Sequence, residues 1–328
     1  MGRIVTLASG QFGDLGLEEL CAAAAKMGYE GLELATHAHF DVKRALNEDG
    51  YIPRIWETLS KYGLQCQAIS AHLTGQCVGD QWDERLDNFA PKEYAGKPEA
   101  IRAWAVEEMK NTAMAAQKFG VKVVNGFTGS PIWARWYSYP QTSEEMIEAG
   151  FTLIYDLWNP ILDIFDQCGI KFALEVHPSE IAFDYYTAKR LLEKFSCRET
   201  LGFNFDPSHL VWQGVSETVF IRKFAKRIYH VHLKDVKLLK NELAGILGSF
   251  LPFGDTRRAW NFVSLGHGDT DFDGIIRELN AMGYTGPLSV EWEDSGMDRM
   301  FGAAESCAYA KRINFSASSV AFDDTLKR

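Results

Sequence analysis

Two hydrophobic rhythms alternate along the chain. Short runs rich in β-branched and aromatic residues, at 4–8, 31–35, 65–70, 121–125, 171–176, 201–205, 228–233 and 288–291, predict strands. Between them, stretches with apolar residues every three or four positions predict amphipathic helices at 16–27, 53–62, 100–119, 143–168, 187–195, 217–225 and 272–282, with a last one at 297–312. Glycines at 28, 63, 120, 169 and 283 stand where a helix hands over to the next strand, the usual place for a left-handed cap.

Eight successive strand–helix units point to an α/β fold, a single (β/α)8 or TIM barrel. An open doubly wound sheet would want a glycine-rich phosphate turn after the first strand, and Ala8-Ser9-Gly10-Gln11 does not supply one. No linker or low-complexity segment divides the chain, so residues 1–312 read as one barrel domain and 313–328 as a C-terminal tail with enough apolar residues to dock. Three connections look long, at 74–99, 126–142 and 234–270, and all follow the C-terminal ends of strands, where barrel active sites are built.

Composition narrows the function classes. A hydrophobic fraction of 46% in 328 residues is ample for a core, and a net charge of −10 argues against a nucleic-acid partner. The six cysteines form no C-x-x-C pair, which suits buried free thiols in a reducing compartment. The first residues lack a signal-peptide pattern, and no apolar run approaches the ~18 residues of a membrane span. A cytoplasmic chain without a membrane partner is the expectation.

Acids and histidines gather at the ends of the later apolar runs: Glu175-Val176-His177, Asp206-Pro207-Ser208-His209, His230-Val231-His232 and Glu291-Trp292-Glu293. All eight histidines fall near predicted strand ends or in the loops after them, and none in a predicted helix. Because side chains two apart share a face of a strand, the open end of the barrel would receive Glu175, Asp206, His232 and Glu291. Three carboxylates and an imidazole form a hard, oxygen-rich donor set, suited to Mn²⁺ above all and also to Mg²⁺ or Co²⁺, rather than to a structural zinc. The competing reading, buried ion pairs without a metal, suffers from the cost of burying three carboxylates with few bases nearby.

The order Glu-x-His-Pro, Asp-Pro-Ser-His, His-x-His-Leu-Lys-Asp, Gly-His-Gly-Asp and Val-Glu-Trp-Glu resembles the xylose-isomerase-like sugar isomerases and epimerases, most of all between Leu174 and Glu293. Ketose 3-epimerases are better-understood members of the same group. The resemblance implies that Glu175, Asp206, His232 and Glu291 hold one divalent metal, that His209 contacts substrate, and that Arg257 or Arg258 in the connection after the seventh strand does likewise. It also implies proton abstraction next to a sugar carbonyl through a metal-stabilised enediolate. Glu175 and Glu291 would then serve as acid and base, and His177 is an additional catalytic candidate.

Further expectations are less tightly bound to motifs. Trp133, with Trp136, Tyr137 and Tyr139, makes an aromatic loop able to cover a sugar face or an aglycone, and His72 and Glu33 are candidates for binding hydroxyls. Asp235 is the candidate acceptor behind His232, and Lys234 shares its face and can neutralise charge. The long loops and the extra His177 keep open a lyase resembling the α subunits of C-glycoside deglycosidases, which act on a keto-glycoside with a small β partner. A non-catalytic sugar-binding barrel is the bland alternative. In either enzyme reading the substrate is a small sugar or keto-glycoside, and a homo-oligomer is expected.

Overall fold

The computed structural model describes residues 2–239, 243–320 and 322–326. Within them, β1 (Val5–Ala8), β2 (Gly31–Ala35), β3 (Ala68–Ser70), β4 (Val123–Gly126), β5 (Lys171–Glu175), β6 (Leu201–Phe205), β7 (Ile228–Leu233) and β10 (Leu288–Val290) close a parallel barrel in the order β1-β10-β7-β6-β5-β4-β3-β2. The remaining pair, β8 (Asp235–Leu238) and β9 (Trp260–Val263), forms an antiparallel hairpin on the rim. The main helices are α1 (Leu17–Met27), α3 (Tyr51–Lys61), α5 (Pro98–Phe119), α6 (Glu144–Cys168), α7 (Tyr185–Lys194), α9 (Glu217–Phe224), α10 (Phe272–Ala281) and α11 (Arg299–Ile313). The (β/α)8 architecture read from the alternating rhythm is therefore the observed one. No helix among the described residues is long and apolar enough to cross a membrane.

The period of two along each strand separates two environments. Phe172 of β5 stacks on Trp158 of α6 with ring centres 4.6 Å apart, and Phe203 of β6 meets Phe224 of α9 at 4.9 Å. These outward rings weld the helices to the barrel. The alternate, inward positions of the strands include polar ones: Glu33, Asn125, His230 and His232 are buried and reach one another across the ring, and the buried Asn204 reaches Glu175. Strand register sets their heights, with Glu175 beside Asn204 and Ser289 beside His232. Gly120 and Gly169 end α5 and α6 in the left-handed region, at φ 96° and 64°, where a side chain would be strained.

Three short helices escaped the sequence reading: α2 (Val42–Asn47), α4 (His72–Gly79) and α8 (Pro207–Val211). Consequently the expectation that no histidine lies in a helix is corrected, since His72 opens α4 and His209 sits in α8. Both helices are too short for a hydrophobic rhythm to emerge. The connection read as loop at 234–270 contains the β8–β9 hairpin, whose Val236, Trp260 and Phe262 form their own small core against Val211 and Trp212. Residues 240–242 of that connection lie outside the described residues. Cys197 is exposed, unlike the other five thiols. The tail begins by pairing with the first strand's approach: Arg3 Nε donates to Asn314 Oδ1 at 3.0 Å, and Asn314 Nδ2 returns a bond to Arg3 O at 2.7 Å.

Phe172→Ala should empty a fully buried site between β5 and α6 and lower stability by ~3–5 kcal/mol, read as a shift of the urea midpoint. A shift below ~1 kcal/mol would mean that the Trp158–Phe172 stack does not anchor this helix.

Candidate metal centre

Four strand ends deliver four side chains to one point. Glu175 is the last residue of β5, Asp206 follows β6, His232 lies in β7 and Glu291 follows β10; one donor atom from each lies within 4.8 Å of the others. Local chemistry divides the labour at Asp206. Its Oδ1 caps α8 by accepting from Ser208 N at 2.8 Å and Ser208 Oγ at 2.7 Å, and Pro207 at the first helical position needs no hydrogen-bond acceptor. The other oxygen, Oδ2, is buried without a hydrogen bond.

His232 is divided in the same way. Its Nε2 lies 3.0 Å from Glu33 Oε2 and 3.1 Å from Oε1, while Nδ1 faces Glu175 Oε2 at 3.2 Å and Glu291 Oε2 at 3.4 Å and is hydrogen-bonded to neither. Glu175 Oε2 is further steadied by His72 Nε2 at 3.0 Å and Asn204 Nδ2 at 2.9 Å, and Glu291 Oε1 accepts from Gln11 Nε2 at 2.9 Å. An acid oxygen and an imidazole nitrogen, both buried and unbonded beside two carboxylates, form a set that can hold one divalent cation.

Charge in this interior is balanced locally. Burial opposes ionisation of Glu291, but Lys234, with Nζ 3.1 Å from Glu291 Oε2, 3.1 Å from Glu293 Oε1 and 3.8 Å from Asp206 Oδ2, outweighs it and holds the Glu291 carboxyl far below its usual range. Burial equally opposes the charge on Lys234, and Glu291 and Glu293 overcome that and hold its ammonium well above the ordinary lysine value. Asp206, fully enclosed, is raised chiefly by desolvation. Burial disfavours a charged His232, yet Glu33 and Glu291 keep its imidazole well above the ordinary histidine value. His177 behaves oppositely: burial and then the neighbouring His209 push it well below. Both effects disfavour a proton on His177.

The remaining predicted residues fall into two groups. His72, His177 and His209 ring the cluster: His72 is bonded to Glu175, His209 Nε2 is 3.5 Å from both Glu175 Oε1 and Asp206 Oδ2, and the His177 and His209 rings are 4.0 Å apart. Arg257 and Trp133 lie elsewhere. Arg257 is exposed and pairs with Asp255 at 2.6 Å, and Arg258 is buried between the rings of Phe253 and Trp260. Trp133 lines a separate apolar cavity of about 180 Å³ with Trp136, Phe151 and Phe183. Beside the cluster a second cavity of about 280 Å³ is walled by Gln11, Phe253, Phe262, Trp292 and Glu293.

Two expectations are corrected. Asp235 does not stand behind His232; its Oδ2 accepts from Gly266 N and Gly268 N, each at 2.9 Å, and so ties down the end of the hairpin connection. That position belongs to Glu33, which is buried in the barrel with no reach to solvent hydroxyls. Sequence reasoning had one usable signal, since Glu33 is the lone charged residue in the run Gly31-Leu32-Glu33-Leu34-Ala35 and points inward by the period of two. Gln11 and Asn204, which position Glu291 and Glu175, carried no such signal.

A family model described as xylose isomerase-like TIM barrel matches residues 21–313. Among curated proteins, the uncharacterized protein YfiH of Bacillus subtilis is 25% identical over 324 residues, covering 92% of this chain and 96% of its own length. An inosose dehydratase of Clostridium perfringens is 36% identical over 89 residues, so the match spans only 27% of this chain and 29% of that enzyme. Two solved structures share the fold: an L-ribulose 3-epimerase (TM-score 0.64, 18% identity, 96% of this chain and 95% of that one) and an IolI protein with a bound zinc atom (TM-score 0.62, 19% identity, 94% and 96%).

Beyond the cluster, Glu180 anchors the turn after β4, accepting from Thr128 N at 2.8 Å and Gly129 N at 2.6 Å. Burial, reinforced by Asp80, pushes its carboxyl from 4.5 up to about 8. The folded chain therefore binds this proton more tightly than the unfolded one, so the contribution to stability is complete below about pH 4.5 and is lost as the pH rises through about 8. Stability should decline across that window by up to ~1.4 kcal/mol per pH unit on account of this group. Glu180→Gln should flatten the decline in urea midpoints measured between pH 5 and 8; parallel profiles for the two proteins would show that the proton is not held there.

Proposed function

The chain belongs to the xylose isomerase-like TIM-barrel family, and on that premise we propose that it is a divalent-metal-dependent sugar isomerase or epimerase. The observation that carries this reading is the pair of buried, unbonded donors, Asp206 Oδ2 and His232 Nδ1, facing the carboxylates of Glu175 and Glu291. We assign these four as the ligands and Mn²⁺ as the ion, with Mg²⁺ and Co²⁺ the nearest alternatives by donor chemistry; the zinc atom bound in the IolI structure, which shares the fold, supports a divalent ion in this chain. Bound there, the ion would supply electrostatic stabilisation to the negative charge that develops on two neighbouring substrate oxygens when a C–H next to a carbonyl is broken.

The chain's own groups do the rest. Glu175 and Glu291 enter from strands separated in the ring by β6 and β7, so a sugar lying between them meets a carboxylate on each side. One takes the proton from carbon and the other returns it, which inverts the centre or moves the carbonyl. Lys234 keeps Glu291 ionised for this task. His209 and His72 are placed to hold hydroxyls at the rim, and the neutral His177, packed against His209, is a hydrogen-bonding partner for a substrate oxygen. Phe262 and Trp292 of the adjoining cavity offer apolar walls to the sugar's C–H face. Arg257 and Trp133 would join only by movement of their connections towards a longer substrate.

A second reading shares the first step. Similarity to inosose dehydratase favours elimination of a group β to the carbonyl after the same deprotonation. Loss of water from a keto-cyclitol or of an aglycone from a 3-keto glycoside would be its products, the latter with a small partner chain.

Purified protein should carry about one equivalent of divalent metal by elemental analysis, and should exchange solvent deuterium into a substrate among ketoses, inososes and 3-keto glycosides. Glu175→Gln should slow that exchange by ~10²–10⁴-fold at unchanged melting temperature. An epimer or isomer as product supports the leading reading, an unsaturated product the second. Exchange undiminished in the variant would remove Glu175 from the chemistry.

A further inference from the structure

The proposed ligand His232 is held from behind by a group that contributes nothing to the four-donor set. Glu33, on β2, lies across the ring from β7, and all of its acceptor capacity is spent on this connection. Its Oε2 meets His230 Nε2 at 2.6 Å and His232 Nε2 at 3.0 Å; its Oε1 meets Asn125 Nδ2 at 2.9 Å and His232 Nε2 at 3.1 Å. An ionised carboxylate only accepts, so the two histidines must each present an N–H to it. With four contacts from three residues on two strands, β4 and β7, the carboxylate cannot turn, and neither can the ring it holds.

We infer that Glu33 is a positioning residue that holds the Nε2 proton of His232, so that a binding metal ion displaces the proton from Nδ1 and meets that nitrogen's lone pair directed at Glu175, Glu291 and the unbonded Asp206 oxygen. Resting as it does on the metal reading above, the inference adds which ring nitrogen binds and what sets its strength. Sharing the Nε2 proton with a carboxylate makes Nδ1 a better donor and removes the cost of orienting the ring at each binding event. Glu33, His230 and His232 could themselves hold an ion, but their contacts are already complete as hydrogen bonds from two imidazoles to one carboxylate. Asn125 Nδ2 also lies 3.1 Å from His232 Nε2, but both are donors in this arrangement and Glu33 is the acceptor they share. Asp235 cannot substitute, since backbone N–H groups occupy both of its oxygens.

Replacing Glu33 by glutamine keeps the shape but offers an N–H₂ where two imidazoles and an amide already donate, so at least one donor is stranded. Metal-free protein titrated with Co²⁺ gives both an affinity and a visible absorption spectrum of the ligand set. The full-length wild type should bind one equivalent, and Asp206→Asn should weaken it. Glu33→Gln should bind ~10–100-fold more weakly, with a changed cobalt spectrum. Should that variant fail to fold, Glu33→Asp, which retains the charge but draws it back by one methylene, should show a smaller loss in the same direction. Asp235→Asn serves as the control for general destabilisation: its melting temperature should fall while cobalt affinity and spectrum stay as in the wild type. Wild-type affinity and spectrum in Glu33→Gln, equal losses in Asp235→Asn, or a second equivalent of bound cobalt abolished by Glu33→Gln would each overturn the inference with the metal reading intact. A wild type that binds no cobalt would sink both.

Discussion

Carboxylates repel one another most strongly where water is absent, and this barrel gathers Glu175, Asp206 and Glu291 at its buried rim with Glu33 one layer below. What makes the gathering tolerable is a matching set of cations and donors. Lys234 reaches Asp206, Glu291 and the adjoining Glu293, His72 and Asn204 bond Glu175, and His230 and His232 share Glu33. Even so, within the four-residue set Asp206 Oδ2 and His232 Nδ1 are left buried and unbonded, both within reach of the same point. A site balanced in this way is preorganised for a small hard cation and for the negative charge of a sugar whose C–H has been broken.

The arrangement depends on an inversion of roles along each strand. Inward positions are polar and few of them are large, while outward positions carry the aromatic bulk that packs on the helices. The barrel's mechanical stability therefore comes from its outer layer, which leaves the interior free to be chemically demanding. Glu33 and Asn125 join β2 and β4 to β7 through the middle, so the polar lattice also ties opposite walls of the ring together. On the rim, the β8–β9 hairpin holds its own apolar cluster against α8, beside the Lys234 ammonium that lies over the Phe262 ring at 4.4 Å.

Legibility tracked the length over which a pattern could repeat. Strands β2, β6 and β7 were bounded to the residue, and long helices such as α5 and α6 to within two, because apolar rhythm persists through them. Helices α4 and α8 span too few turns for any rhythm, and their histidines were read as loop residues. The hairpin was readable in principle, since Asp235-Val236-Lys237-Leu238 and Trp260-Asn261-Phe262-Val263 both alternate; their separation inside a long connection hid the pairing. Arg257 was expected at the substrate by analogy of position, but an adjacent Asp255 captures it, a contact two residues away that motif spacing does not weigh.

By itself the sequence determined the barrel and the residue types at its rim, because both follow from periodicity: the alternation of apolar runs, and the appearance of acids and imidazoles where those runs stop. Convergence of Glu175, Asp206, His232 and Glu291 followed from strand order once the ring was assumed. Only the tertiary structure decided the identity of the group behind His232. Asp235 is three residues from that histidine and Glu33 is 199 residues away, yet the ring closure brings the distant carboxylate to 3.0 Å and turns the near one to backbone amides. Hydrogen bonds across a barrel depend on which strands face each other at equal height, and that is a property of shear and closure that no local stretch of chain encodes.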